Sequence, residues 1–271
     1  MPAFPNLKHE DTLRLIFAGF TVLLVAVSMA FFSMDIAVIA TLLCIFVLGS
    51  LFIMHYHRET AKENVTLLKN FQDLQFLQSQ LNLRKPLPYL TGWSASPALA
   101  SRLYSLIEEN KPSYILELGS GVSTIVMAYA IEKAGTGRLV SIDHDEQYAQ
   151  KTRDELKRHR LEKYASVIHA PLIETISNGT SQPWYDLSGL NGLANIDLLI
   201  VDGPPRKTCV DARLPAFEQL SGRLAPGCVV VIDDSDRLDE KNSLMAWSKS
   251  SDSQRNEDIS CEKGISIRYF N

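Results

Sequence analysis

The 271-residue chain is 46% hydrophobic and 21% charged, a globular balance, and its formal net charge of −4 with no basic block argues against a general nucleic-acid surface. Its four cysteines, at 44, 209, 228 and 261, have no paired or zinc-type spacing, which leaves free thiols in a reducing compartment as the simplest account.

Residues 15–57 contain no Lys or Arg and one acid, Asp35. Two apolar stretches, 16–32 and 36–54, are each close to the roughly 20 residues a helix needs to cross a bilayer, and neither has a polar face. They predict a transmembrane hairpin turning at Ser33, Met34 and Asp35, because an unpaired Asp at mid-bilayer costs about 2.5 to 3.5 kcal/mol. Lys8 and Arg14 precede the first span, and Arg58, Lys62 and Lys69 follow the second, so positive charge places both ends in the cytoplasm. A cleaved signal peptide with a small-residue site at 28–30 is the competing reading, and the second span would still deliver the rest to the cytoplasm.

From 59 to 83 the chain turns polar, with Leu67, Phe71, Leu74 and Leu81 at near-heptad positions. This predicts an amphipathic linker helix whose stripe docks on the following domain or pairs two copies. Ser96 before Pro97 is an N-cap with proline at the first helical position, opening a helix to about residue 110. Short aliphatic runs at 114–118, 139–143, 166–169, 196–202 and 229–233 then alternate with helical stretches near 123–134, 146–160 and 211–224. That alternation implies an α/β fold with a mostly parallel sheet, closed by an antiparallel hairpin in "ISCEKGISIRYF" near Gly264. The expected organisation is a hairpin at 1–57, a linker helix at 58–89 and a catalytic domain at 90–271.

Open parallel sheets bind ligands beyond the carboxyl ends of their strands. There "YILELGSGVST" places Glu117, Gly119, Ser120, Gly121 and Ser123, with glycines that let a ligand approach the main chain. A dinucleotide fingerprint would need a third glycine where Thr124 stands. Asp143, closing the next strand, can accept both hydroxyls of a ribose, whether in NAD or another nucleoside. "YAIEK" at 129–133 mimics a dehydrogenase Tyr-x-x-x-Lys, but its place on the helix after the loop marks it as coincidence.

"ILELGSGVST", "VSIDHDEQYA", "LLIVDGPP" and "LAPGCVVVIDD", in this order and at these distances, resemble class I S-adenosylmethionine-dependent methyltransferases, over about residues 90 to 271. The loop is most similar to that of bacterial methyltransferases found with polysaccharide and secondary-metabolite functions. The resemblance implies a Rossmann-like, doubly wound, seven-stranded sheet and S-adenosylmethionine as cofactor. It places Glu117 toward the cofactor's amino group, Gly119, Ser120, Gly121 and Ser123 under its methionine part, Asp143 on its ribose, and His144 and Ala170 beside its adenine.

Asp202 ends the fourth parallel run, and Asp233 and Asp234 end the fifth. Converging like charges need a cation or protonation, and oxygen ligands suit Mg²⁺ or Ca²⁺. The pattern is similar to catechol and sugar O-methyltransferases, in which acids at these strand ends hold such an ion, with Asp202 then the catalytic acid. The bland reading is that Asp202 caps its loop and Asp233 the next helix. Arg206, Lys207 or Arg237 would bind an anionic substrate group or be solvated, and Trp184 and Tyr185 would line the site or fill an ordinary loop. His55 and His57 lie at the membrane exit.

The expected protein is a methyltransferase anchored in a bacterial inner membrane, multi-pass and with a cytoplasmic catalytic domain. Its acceptor would be a sugar or small hydroxylated molecule, lipid-linked if the anchor serves substrate access. The competing classes are a non-catalytic membrane scaffold and a metal-dependent glycosyltransferase using Asp-His-Asp at 143–145.

Overall fold

The computed structural model describes residues 18–27, 34–88, 90, 95–177, 179–250 and 253–270. These form two units, Met1–Val65 and Thr66–Asn271.

In the first unit lie helix α1 (Ala18–Val27) and the start of helix α2 (Met34–Gln80). The sequence suggests a boundary near residue 57, but α2 runs through it, since "HYHRETAK" at 55–62 contains neither Gly nor Pro. One helix among the described residues, Val38–Gln80, is long and apolar enough to cross a membrane, whereas α1 is shorter. Leu42, Leu43 and Phe46 are among its exposed apolar residues. Lys8, Arg14, the small residues at 28–30 and the predicted turn residue Ser33 lie outside the described residues.

In the second unit, Leu77 of α2 and Leu81 just after it are buried in the core, while Leu67 and Phe71 are 65% and 59% exposed. Of the predicted stripe Leu81 packs as expected, Leu67 and Phe71 do not, and Leu77 takes a place that the stripe did not include. The helix carries more apolar residues than one face can hold, so heptad spacing alone does not select the face that packs. Helix α3 (Pro97–Asn110) starts as predicted: the Ser96 hydroxyl accepts the Leu99 N–H at 3.1 Å, and Pro97 opens the first turn.

The central sheet contains β1 (Tyr114–Leu118), β2 (Arg138–Asp143), β3 (Ala165–His169), β6 (Ile196–Val201), β7 (Leu224–Asp233), β8 (Ser253–Ile259) and β9 (Ile265–Phe270), in the order β3-β2-β1-β6-β7-β9-β8. The first five are parallel, and β9 runs antiparallel to both β7 and β8. Helices α4 (Val122–Ala134), α5 (Glu146–His159), α6 (Pro215–Leu220) and α7 (Leu238–Ser250) connect the strands. Strand β7 begins five residues before the predicted run. Helix α6 is shorter than predicted because Pro215 sets its first turn.

A second, two-stranded sheet of β4 (Leu172–Ser177) and β5 (Thr180–Tyr185) is inserted before β6. This hairpin is absent from the predicted elements, although Asn178-Gly179 between two alternating runs is a hairpin signature. Two apolar layers sandwich the main sheet. Ile115, Leu198, Ile200, Val229 and Val231 face one layer, and Leu116, Leu118, Leu199, Val201, Val230 and Ile232 face the other. This period-two alternation sends the last side chain of each strand to a fixed side, and so decides where the strand-end acids point.

Candidate functional site

The strand order reverses between β1 and β6, and the backbone leaving β1 is bonded to both neighbouring strand ends, β2 and β6. The Gly119 N–H donates to the Ile142 carbonyl at 2.8 Å, and the Asp202 N–H to the Leu118 carbonyl at 3.0 Å. Gly119 has φ +99°, and a Cβ on it would stand 3.2 Å from the Asp202 carbonyl carbon and oxygen. This glycine is therefore required by the fold itself. Gly121 is different. Its φ of 171° is extended backbone that any residue adopts, and a Cβ there would meet no described heavy atom within 4 Å. The loop thus leaves a bare, open edge at Gly121, a cradle that a side chain would fill.

Glu117 shares the parity of Ile115 and points beneath the N-terminus of α4. It is fully buried, and its two oxygens accept the hydroxyls of Ser123 and Thr124 at 2.5 Å each. Burial pushes its carboxyl up to about 7 despite these hydrogen bonds. Glu117 and Ser123 thus bond to each other and fix the loop from below.

Asp143 is the hub of the site. One of its oxygens accepts both the N–H and the hydroxyl of Ser120, at 3.0 and 2.8 Å, and the other accepts the Asp145 N–H at 3.0 Å. Burial opposes its ionisation, but hydrogen bonds from His144, Asp145 and Ser120 outweigh that and hold the carboxyl below its usual range. His144 Nδ1 lies 3.4 Å from Asp143, and the Ala170 N–H donates to the Asp143 carbonyl at 2.7 Å. Ser120, Asp143, His144 and Ala170 are thereby gathered around one corner of the crevice.

Asp202, Asp233 and Asp234 offer oxygens that lie within 4.8 Å of one another, the convergence expected from sequence. Missing from that expectation is Arg213, only 5% exposed, on the turn before α6. Its Nη2 donates to Asp202 Oδ1 at 3.2 Å, to the Asp202 carbonyl at 3.0 Å and to Asp234 Oδ2 at 2.9 Å, and its Nη1 donates to the Asp233 carbonyl at 2.8 Å. Arg237 adds a second guanidinium 2.8 Å from Asp234, and Glu240 a fourth acid 3.6 Å from Arg213. Burial, then Asp233, pushes the Asp202 carboxyl well above its ordinary range, with Arg213 acting against them. The donor types suit a divalent ion, but a guanidinium nitrogen already bridges two of the three acids. The cluster as built does not fit a shared metal. The trace in the sequence was a lone Arg within the otherwise apolar "ARLPAF".

Tyr185, at the end of β5, is fully buried between this cluster and the loop. A Cβ on Gly203 would lie 2.1 Å from its hydroxyl, and its ring meets that of His144 edge-on with centroids 6.4 Å apart. Trp184 beside it is core. The glycosyltransferase reading loses its support, because Asp145 caps α5, accepting from Gln147 and Tyr148, while Asp143 is tied to Ser120. Tyr129 and Lys133 of "YAIEK" contact His159, Tyr104 and Gln80, as a structural pair would. Arg206 pairs with Asp239, and His55 and His57 are exposed on α2.

A parallel sheet whose order reverses beside β1, closed by an antiparallel β9, with a bare loop after β1 and an acid ending β2, has the crevice in which open α/β sheets bind ligands. Residues 116–235 match the model of a family described as a methyltransferase domain. Among solved structures, the chain is similar to the SAH-bound methyltransferase PaMTH1 of Podospora anserina, at 13% identity and a TM-score of 0.53, covering 79% of this chain and 96% of that one. It is also similar to a putative caffeoyl-CoA O-methyltransferase from Staphylococcus aureus, at 14% identity and a TM-score of 0.50, covering 82% and 98%. At these identities the likeness is one of fold. No curated protein matches the sequence.

Proposed function

We propose that the protein is a membrane-anchored methyltransferase that transfers a methyl group to a hydroxyl oxygen of a sugar or other small polyhydroxylated acceptor, with its catalytic domain in the cytoplasm. The observation that carries the cofactor assignment is the open backbone at Gly121 beside Asp143, at the switch point of the sheet. Bound S-adenosylmethionine supplies an electrophilic methyl group. Asp143 accepts the ribose hydroxyls, the Gly119 to Gly121 main chain lies under the methionine portion, and His144 and Ala170 border the adenine. Glu117 and Ser123, bonded to each other, hold the loop in place.

Asp202 is the side chain we assign to the acceptor. It is the most exposed of the three clustered acids, its side chain 18% accessible, and Arg213 fixes one of its oxygens. It is placed to receive the hydroxyl proton as the oxygen is methylated, and holding the acceptor in line supplies much of the acceleration. Anchoring rests on Val38–Gln80, with residues 16–32 as a second span, and the Lys and Arg flanking the two spans support a cytoplasmic domain. An anchor of this kind suits lipid-linked acceptors.

The test is transfer of isotope-labelled methyl from S-adenosylmethionine by the full chain in lipid nanodiscs, with free sugars, lipid-linked sugars and simple phenols offered in parallel. The expected product is a methyl ether on a sugar hydroxyl, with Asp202→Ala lowering turnover at least 100-fold. Methylation only of nitrogen or of phenols would reject the acceptor class.

A further inference from the structure

We infer that Arg213 is the built-in cation of the strand-end acid cluster, standing where a divalent ion would be shared, so that methyl transfer in this protein needs no metal. The inference deepens the methyltransferase reading and rests on it only for its activity measurement.

Position is the first argument. Nη2 of Arg213 lies 3.2 Å from Asp202 Oδ1 and 2.9 Å from Asp234 Oδ2, between acids from two different strand ends. A Mg²⁺ or Ca²⁺ bridging the same two oxygens would sit at roughly 2.0 to 2.6 Å from each. It would therefore press against the guanidinium nitrogen, with like charges in contact.

Attachment is the second. The guanidinium also donates to the carbonyls of Asp202 and Asp233, so it is fastened to the ends of both β6 and β7 and cannot leave without stranding buried acceptors. Arg213 is 5% exposed and packed within the domain, unlike a surface arginine that swings into a site.

Charge is the third. Four acids, Asp202, Asp233, Asp234 and Glu240, meet two guanidiniums, since Arg237 also reaches Asp234 and lies 3.9 Å from Glu240. Planar, permanently charged groups that bond several oxygens at once suit this crowded site better than an ammonium would. Arg213 thus acts as a positioning residue. It orients Asp202 while leaving the crevice side of that carboxylate for the acceptor. Asp233 Oδ1 and Asp234 Oδ1 remain without a hydrogen-bond partner, so ions are tested directly.

The experiment uses the full chain in detergent micelles. Thermal melting and calorimetry are run with Mg²⁺, Ca²⁺ and Mn²⁺, and methyl transfer is measured with and without a chelator. For the wild type, we expect no ion-induced rise in melting temperature and unchanged activity in chelator. Arg213→Gln is expected to lose activity at least 100-fold and to gain an ion-dependent rise in melting temperature. Arg213→Lys, which keeps a charge but not the planar fork, is expected to fall between them and still show no ion response. If Arg213→Gln does not fold, the lysine variant and the wild-type measurements decide. Activity lost in chelator and restored by Mg²⁺, an ion-induced stabilisation of the wild type, or full activity in Arg213→Gln would each overturn the inference. A chain that binds no ion but also transfers no methyl group would reject the enzymatic reading while leaving the cation assignment supported.

Discussion

Ser120 and Asp143 are joined twice: one carboxylate oxygen receives both the amide and the hydroxyl of Ser120, locking the loop after β1 to the end of β2. The loop conformation and the acid's orientation are one unit, prepared before any ligand arrives. Hydrogen bonds to a charged acceptor contribute roughly 1.5 to 3 kcal/mol. Asp143→Asn is therefore expected to weaken S-adenosylhomocysteine binding about 10- to 100-fold in calorimetry, with Ser120→Ala showing a smaller loss of the same sign. Unchanged affinity in both would detach this pair from the cofactor.

The two glycines of the loop predict opposite outcomes. Gly119→Ala forces a side chain into left-handed backbone 3.2 Å from Asp202 and is expected to cost about 1 to 3 kcal/mol of stability, seen as a lowered melting temperature. At Gly121 an added Cβ meets open space in extended backbone, so the melting temperature of Gly121→Val is expected to stay near wild type while cofactor binding disappears. A Gly121→Val protein that binds normally would show that the open edge has another purpose.

Glu117 gives the domain a pH dependence of defined sign. Its carboxyl is raised from an ordinary 4.5 to about 7 by burial, so its contribution is fully present below pH 4.5. As the pH climbs toward 7 the unfolded chain releases the proton first, and that stability is lost. The interval corresponds to about 3 kcal/mol as an upper limit. Glu117→Gln keeps a partner for Ser123 or Thr124 without the charge, and its stability relative to wild type is expected to improve steadily from pH 4.5 to 7.5. Parallel melting curves across that range would contradict this.

Much of the domain was legible because local chemistry and global fold agree. Ser96-Pro97 starts its helix, the aliphatic runs form the parallel strands, and Gly264 turns the final hairpin. What stayed hidden depends on long-range packing. Nothing near Arg213 in the sequence says that it will bridge Asp202 and Asp234, because the bridge exists only once β6 and β7 lie side by side. The family resemblance places Glu117 toward the cofactor, and only the folded chain shows that strand parity also turns it under α4, where it accepts the hydroxyls of Ser123 and Thr124. Hairpin β4–β5 was obscured by Pro183, which lowers its strand character, and with it the burial of Tyr185 near Gly203 went unseen.

Topology has its own test. Asn64 and Asn178 head Asn-x-Thr acceptor sequences. With the catalytic domain in the cytoplasm, neither is expected to be glycosylated when the full chain is expressed in a eukaryotic secretory system, as read by a mobility shift on glycosidase treatment. Modification at either would place the domain on the other side of the membrane.

The most direct measurement of the central claim is calorimetric titration of the full chain in detergent with S-adenosylhomocysteine, alongside Gly121→Val with a matched melting temperature. One saturable site per chain in the wild type and none in the variant is the predicted result. No binding to the wild type, or equal binding to both, would contradict the assignment of the Gly121 and Asp143 crevice to the methyl donor.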